Sequence, residues 1–135
     1  TAAATAWLAN PLTASVTVDG SAAKTTTIAG STITNSSYRG AKFIINVSAV
    51  SGTSPTLTAQ LQVQDFVSSN WVNVPGAVTA SITATGQYML TLYPGIPEVA
   101  NSKVNDVLPR IYRFNYTIGG TTPSFTLSTS AHYIV

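Results

Sequence analysis

Cysteine is absent from the 135 residues, which excludes disulfides, thiol catalysis and cysteine-based zinc sites together. Charge is nearly as scarce. Charged residues make up 7% of the chain, against about 25% in an average soluble protein. The six basic residues, Lys24, Arg39, Lys42, Lys103, Arg110 and Arg113, form no run, so the phosphate-tracking patch of a nucleic-acid binder is missing from the sequence and no nucleic-acid partner is expected. No stretch approaches the roughly 20 uninterrupted apolar residues of a membrane span, so a soluble chain without a membrane partner is expected. No charged segment followed by an apolar one opens the sequence, and no secretory signal is expected at its start.

Catalytic groups are equally sparse. A hydrolase needs a nucleophile, a base and an orienting group, yet the only histidine is His132, near the end of the chain on the polar face of a strand pattern. Asp19, Asp65, Glu98 and Asp106 sit in four different turns or loops, with nothing local to suggest a glycosidase carboxylate pair. There is no acidic cluster of calcium-loop density and no phosphate-cradling glycine motif. An enzyme, a cofactor and a metal site are therefore not expected. Asn35-Ser36-Ser37, Asn46-Val47-Ser48 and Asn115-Tyr116-Thr117 match the glycosylation sequon, as chance alone produces in a chain this rich in Ser and Thr.

What the chain does have is hydroxyls and alternation. Ser and Thr supply roughly a quarter of it, well above ordinary usage, clothing the surface in groups that cost less to desolvate than ions when a broad contact is made. Tyr112, Phe114, Tyr116 and Ile118 alternate with Arg113, Asn115 and Thr117, and Phe125 and Leu127 resume the period after Gly119-Gly120-Thr121-Thr122-Pro123. Glycine tolerates positive φ and proline lacks a ladder N–H, so Arg110 to Ser130 reads as a β-hairpin. Gly52-Thr53-Ser54-Pro55 repeats the turn chemistry, preceded by Phe43, Ile45 and Val47 and followed by Leu57, Ala59, Leu61 and Val63. This second phrase reads as a hairpin of the same architecture.

The remaining pattern is of short strands. Leu12 to Val18 alternates and ends at Asp19-Gly20; Lys24 to Ile28 is short and polar, suited to an edge. Asp65 to Asn70 is a turn, Trp71 to Val74 a short strand broken at Pro75-Gly76, and Gln87 to Tyr93 a strand with Tyr88, Leu90 and Leu92 on one side. Trp71, Tyr112, Phe114 and Tyr116 are expected in the core, with Arg110 and Arg113 as a rim. About eight to nine antiparallel strands with no useful helix predict one all-β domain over 12–135, a β-sandwich of immunoglobulin-like or jelly-roll type, behind an N-terminal arm over 1–11. The arm carries Trp7 and Leu8, too apolar to be left in water. The longest stretch without a period, Pro94 to Pro109, has the character of a functional loop or one ordered by a partner.

Three phrases in order, Ser51-Gly52-Thr53-Ser54-Pro55-Thr56-Leu57-Thr58, then Gln62-Val63-Gln64-Asp65 to Asn70-Trp71-Val72-Asn73, then Leu108-Pro109-Arg110 leading into Tyr116 to Thr126, resemble small virion proteins of tailed bacteriophages. The resemblance implies a head decoration or cement protein on the outer surface of the capsid, with the major capsid protein as partner and a homo-oligomer, trimer favoured over dimer. A tail or fibre component with a receptor- or glycan-binding sandwich is the alternative. On this basis the expected partner-binding residues are Trp7, Leu8, Ile96, Glu98, Val99, Lys103 and Arg110.

Overall fold

The computed structural model describes residues 15–35 and 37–134; the arm residues Trp7 and Leu8, with Leu12 and Ala14 of the first expected strand, lie outside the described residues. The described chain is all-β with no helix. Its elements are β1 (Ser15–Lys24), β2 (Ile28–Ala29), β3 (Ile33–Thr34), β4 (Gly40–Gln64), β5 (Trp71–Val78), β6 (Gly86–Leu92), β7 (Lys103–Val104) and β8 (Ile111–Ile134). They form one eight-stranded sheet. It is mixed, not antiparallel throughout, because β6 and β7 pair in parallel.

The sheet is organised by one long ribbon. β4 and β8 pair antiparallel from Gly40↔Ile134 through Thr53↔Thr121 to Val63↔Tyr112. The two expected hairpins are therefore not hairpins: neither strand reverses on itself at its Gly-Thr-Ser/Thr-Pro phrase. Both strands bend at the same rung and continue. In an antiparallel ribbon a sharp bend must be accommodated by both strands at symmetric positions, which is why the phrase occurs twice. Gly52 and Gly120 have φ of 109° and 113°, while Ser54 and Thr122 have φ of 49° and 46°, so the four residues form matching pairs about the bend. Each glycine also lies against the other strand. A Cβ on Gly52 would sit 2.6 Å from the Thr122 carbonyl oxygen, and one on Gly120 would sit 2.8 Å from that of Ser54.

Two other expected breaks are also irregularities within strands. β1 runs through Asp19-Gly20 with register shifts on either side of Asp19, and β5 runs through Pro75-Gly76 with a shift opposite Gln60 and Gln62. Extra residues of this kind twist or bend a strand without ending it. At the second site the Gln60 side-chain amide donates to the carbonyls of Val74 and Ala77, at 2.9 and 3.1 Å, satisfying groups that the irregular ladder leaves free.

Beyond the bend the two halves of the sheet face each other across one core. Residues 40–51 and 124–134 carry β6 and β1 on their outer edges, and residues 56–64 and 111–119 carry β5 and the pair β2/β3. Phe43 from one half meets Phe114 and Tyr112 from the other edge-on, with ring centroids 4.9 and 5.6 Å apart, a geometry worth about 0.5–1.5 kcal/mol per pair beyond area burial. The predicted inward faces are buried at Phe43, Ile45 and Val47; Leu57, Ala59 and Leu61; Tyr112, Phe114 and Tyr116; and Phe125 and Leu127, while Val63 and Ile118 at the ends of their runs are only partly buried.

Two polar ties cross this core. The Tyr112 and Tyr133 hydroxyls are 2.6 Å apart. The Tyr116 hydroxyl donates to buried Asp19 Oδ2 at 2.6 Å and also meets the Thr129 hydroxyl, while Asp19 Oδ1 accepts from the Ser31 amide at 2.8 Å. Burial, first of all, raises the Tyr112, Tyr116 and Tyr133 phenols above their ordinary value of 10.0. For Tyr116 the charge of Asp19 adds to the shift. Asn35 is buried as well, its amide donating to the Tyr38 carbonyl at 2.7 Å and its oxygen accepting the Tyr38 amide at 3.0 Å, so this sequon asparagine fastens a loop instead of facing solvent.

Candidate functional site

Folding the ribbon places its two open ends together, opposite the bend. This end carries Gly40 and Ile134 from one half, Val63 and Ile111 from the other, and the turn between β4 and β5. The turn is built by Asp65. Its carboxylate accepts from the Ser68 hydroxyl at 2.6 Å and from the amides of Val67 and Ser68 at 3.3 and 3.4 Å. Backbone bonds from Ser69 to the Asp65 carbonyl and from Asp65 to the Asn70 carbonyl, at 2.7 and 2.8 Å, close it. The Ser68 hydroxyl first, then the Val67 amide, hold the exposed Asp65 carboxyl below its usual value. A side-chain acceptor that captures amides two and three residues on is a local turn-forming device, and here it fixes the backbone that presents Phe66 and Val67. These are 86% and 81% exposed.

Two open concavities adjoin this tip and share Val63. The first, about 730 Å³, is lined by Val63, Gln64, Asp65, Phe66, Arg110 and Ile111. The second is lined by Val63, Val72, Val74, Pro75, Val107 and Pro109 with Asn73 and Asp106. Val72 and Val107 are each about half exposed. The result is a largely apolar surface crossing the β4–β5 edge, with Asp65, Arg110 and Asp106 as its charged neighbours. Exposed apolar groups collected in this way mark contact surfaces.

The Pro94–Pro109 loop is fastened to its own domain. Val99 and Lys103 exchange backbone bonds at 3.0 and 2.9 Å, β7 pairs with β6, and the Asn105 carboxamide accepts the Gly95 amide at 2.7 Å. Val104 and Leu108 are buried. Of the expected partner-binding residues, Glu98, Val99 and Lys103 come together around a shallow concavity with Pro75 and Gly76. Ile96, in the same loop, is partly buried, with its amide 3.4 Å from the Tyr93 carbonyl. Arg110 stands apart from these, lining the Phe66 concavity and a second one with Tyr38, Arg39 and Leu108.

Trp71, expected in the core, lies on the outer face. The Arg113 guanidinium sits over its ring at 4.2 Å, and Arg113 Nε donates to Gln62 Oε1 at 2.9 Å while Gln62 Nε2 donates to Asn73 Oδ1 at 2.9 Å. The cause is register. Trp71 pairs with Gln64, an outward residue in the alternation that sends Leu61 inward. His132 is half-buried, with Nδ1 3.2 Å from the Ser15 hydroxyl and Lys42 opposite it on β4. Among the described residues, no three His, Asp or Glu side chains gather as metal ligands would. Comparison of the chain with protein-family models, with characterised proteins and with solved structures finds no match.

Sequence reasoning missed Phe66 and Val67. The signal was present: an acidic residue followed three positions later by serine forms a self-bonded turn, and the two residues inside it were large and apolar where turn residues are ordinarily polar.

Proposed function

We propose that this chain is a structural, non-enzymatic virion protein of a tailed bacteriophage that decorates the outer capsid and holds shell subunits together. In this reading its partner is the major capsid protein, and it works as a homo-oligomer, trimer favoured over dimer. The observation that carries the reading is the rigid Asp65 turn holding Phe66 and Val67 in solvent beside Val72 and Val107. A protein surface covering these side chains gains the transfer free energy of apolar area at about 25 cal/mol per Å², and the turn is already ordered, so little entropy is lost on contact. The hydroxyl-rich, charge-poor strands around it suit a broad neutral contact. We read the folded sheet as a β-sandwich, and the doubled β4–β8 ribbon favours a jelly-roll-like wrap over an immunoglobulin-like one. A glycan-binding fibre module would instead need a platform of open aromatic faces; the outward Trp71 has Arg113 over it, which leaves Phe66 alone in the open.

Purified shells lacking the protein test the proposal. The wild-type chain is expected to co-sediment with them saturably, and Val67→Asp, which buries a charge in the contact, is expected to lower occupancy at least tenfold while leaving thermal unfolding unchanged. Equal occupancy of the two proteins, or no binding by the wild type, would overturn it.

A further inference from the structure

We infer that the chain assembles with a second copy of itself by exchanging residues 71–134, with the Asp65 turn as the hinge. The exchange follows from strand pairing alone and needs no capsid. Residues 15–64 contribute β1, β2, β3 and β4, and residues 71–134 contribute β5, β6, β7 and β8. Among the described residues β1, β2, β3 and β4 each pair with β8, while β5 and β6 each pair with β4. Only the short β6–β7 pairing lies within one segment. Neither segment can therefore build the sheet alone, since each supplies the partner strands of the other.

The two segments are also built alike. Interchanging the long strands about the Thr53↔Thr121 rung carries Ser51↔Ser124 onto Thr56↔Gly119 and Val50↔Phe125 onto Leu57↔Ile118. β1 starts opposite His132 of β8, β5 starts opposite Gln64 of β4, and both run toward the bend. Each is irregular at its fifth and sixth residues, Asp19-Gly20 and Pro75-Gly76. β2 and β3 then return along β8, as β6 does along β4. This is the arrangement of a two-fold pair of segments joined through one turn. A second copy presents residues 71–134 with the same strands in the same register, so an exchanged pair keeps every ladder and differs from two separate molecules only at the hinge. Opening the hinge gives up the bonds that Asp65 makes to Val67 and Ser68, all of them exposed. The ladders must separate before segments can change partners, so the choice is made as the chain folds. A closed turn returns β5 to its own β4, and an open one hands it to a neighbour's.

The absence of cysteine allows a direct test. Ser51→Cys with Ser124→Cys places two thiols on directly opposed residues of β4 and β8, within disulfide reach. In a separate molecule that bond closes within one chain; in an exchanged pair it links two chains, and denaturing electrophoresis without reductant tells them apart. The otherwise unaltered chain, unfolded in reductant, refolded and then oxidised, is expected to give intrachain bonds alone when refolded dilute. Refolding at millimolar concentration, where a neighbour competes with the chain's own segment, is expected to add a linked dimer. Deleting residues 65–70 joins Gln64 to Trp71, its own rung partner, so β5 cannot turn back onto the β4 of the same chain. That variant is expected to have twice the monomer's molar mass at every concentration, wild-type circular dichroism, and chains linked on oxidation. No interchain linkage at either refolding concentration would overturn the inference. So would a deletion variant that is monomeric, that fails to fold, or that dimerises with its disulfides closed within each chain.

Discussion

The paired bend makes a quantitative prediction that independent hairpins do not. Replacing Gly120 with alanine demands φ near 113° from a residue with a Cβ, and that Cβ would lie 2.8 Å from the Ser54 carbonyl oxygen and 2.9 Å from Pro55 Cα. Backbone strain of this kind costs about 1–3 kcal/mol, and displacing the opposing strand adds on the order of 1 kcal/mol. Gly52→Ala meets the same obstacle from the other side, with Thr122 O at 2.6 Å and Pro123 Cα at 2.8 Å. Each single substitution should therefore cost about 2–4 kcal/mol and lower Tm by roughly 8–16 °C at this chain length. Gly20→Ala is the control, since no heavy atom lies within 4 Å of its added Cβ. It should stay within about 0.5 kcal/mol of wild type. Because Gly52 and Gly120 share one corner, opening it for the first substitution relieves the second, and a double-mutant cycle by urea denaturation should show a sub-additive coupling above about 1 kcal/mol. Additivity within about 0.5 kcal/mol, or singles no worse than Gly20→Ala, would refute the shared bend.

Other outcomes follow from the core and the exposed end. Tyr112 and Tyr116 have folded-state pKa values above the ordinary 10.0, so their contribution is intact below pH 10 and is lost as the unfolded chain ionises at higher pH. Stability should fall from about pH 10 upward by as much as about 1.4 kcal/mol per pH unit for each such tyrosine, and Tyr116→Phe should flatten that slope in pH-dependent denaturation; an unchanged slope would argue against the burial assigned to it. At neutral pH the same substitution removes a donor from buried Asp19 and should cost about 1–3 kcal/mol, measured by chemical denaturation. Deleting residues 1–10 should abolish binding to shells while circular dichroism keeps its β signature, and unchanged occupancy would remove the segment from the contact.

The faces of the sheet were legible because the two-residue period is a local property: Leu57-Ala59-Leu61 and Tyr112-Phe114-Tyr116 need no partner to declare which side is inward. The connectivity was not. Gly-Thr-Ser-Pro, Asp19-Gly20 and Pro75-Gly76 carry the chemistry of a chain that departs from regular β geometry, and a reversal, a bulge and a paired bend all require that departure. Only pairing distinguishes them, and pairing joins residues as distant as Gly40 and Ile134. Trp71 was misplaced for a related reason. The four residues Trp71 to Val74 were too few to fix a phase, which Gln64 sets across the ladder. In the expected site, Glu98, Val99 and Lys103 were grouped by one loop and stayed grouped, whereas Phe66 joins Arg110 only through the pairing of β4 with β8, which sets Val63 opposite Tyr112.

The proposed place of this chain on the outside of a phage head is tested most directly by a cryo-EM reconstruction of the particle that carries it. Density for a folded β-ribbon is expected on the outer shell at local symmetry axes, with the Asp65 turn toward neighbouring protein. Density confined to the tail, or a shell whose outer surface lacks it, would overturn the proposal.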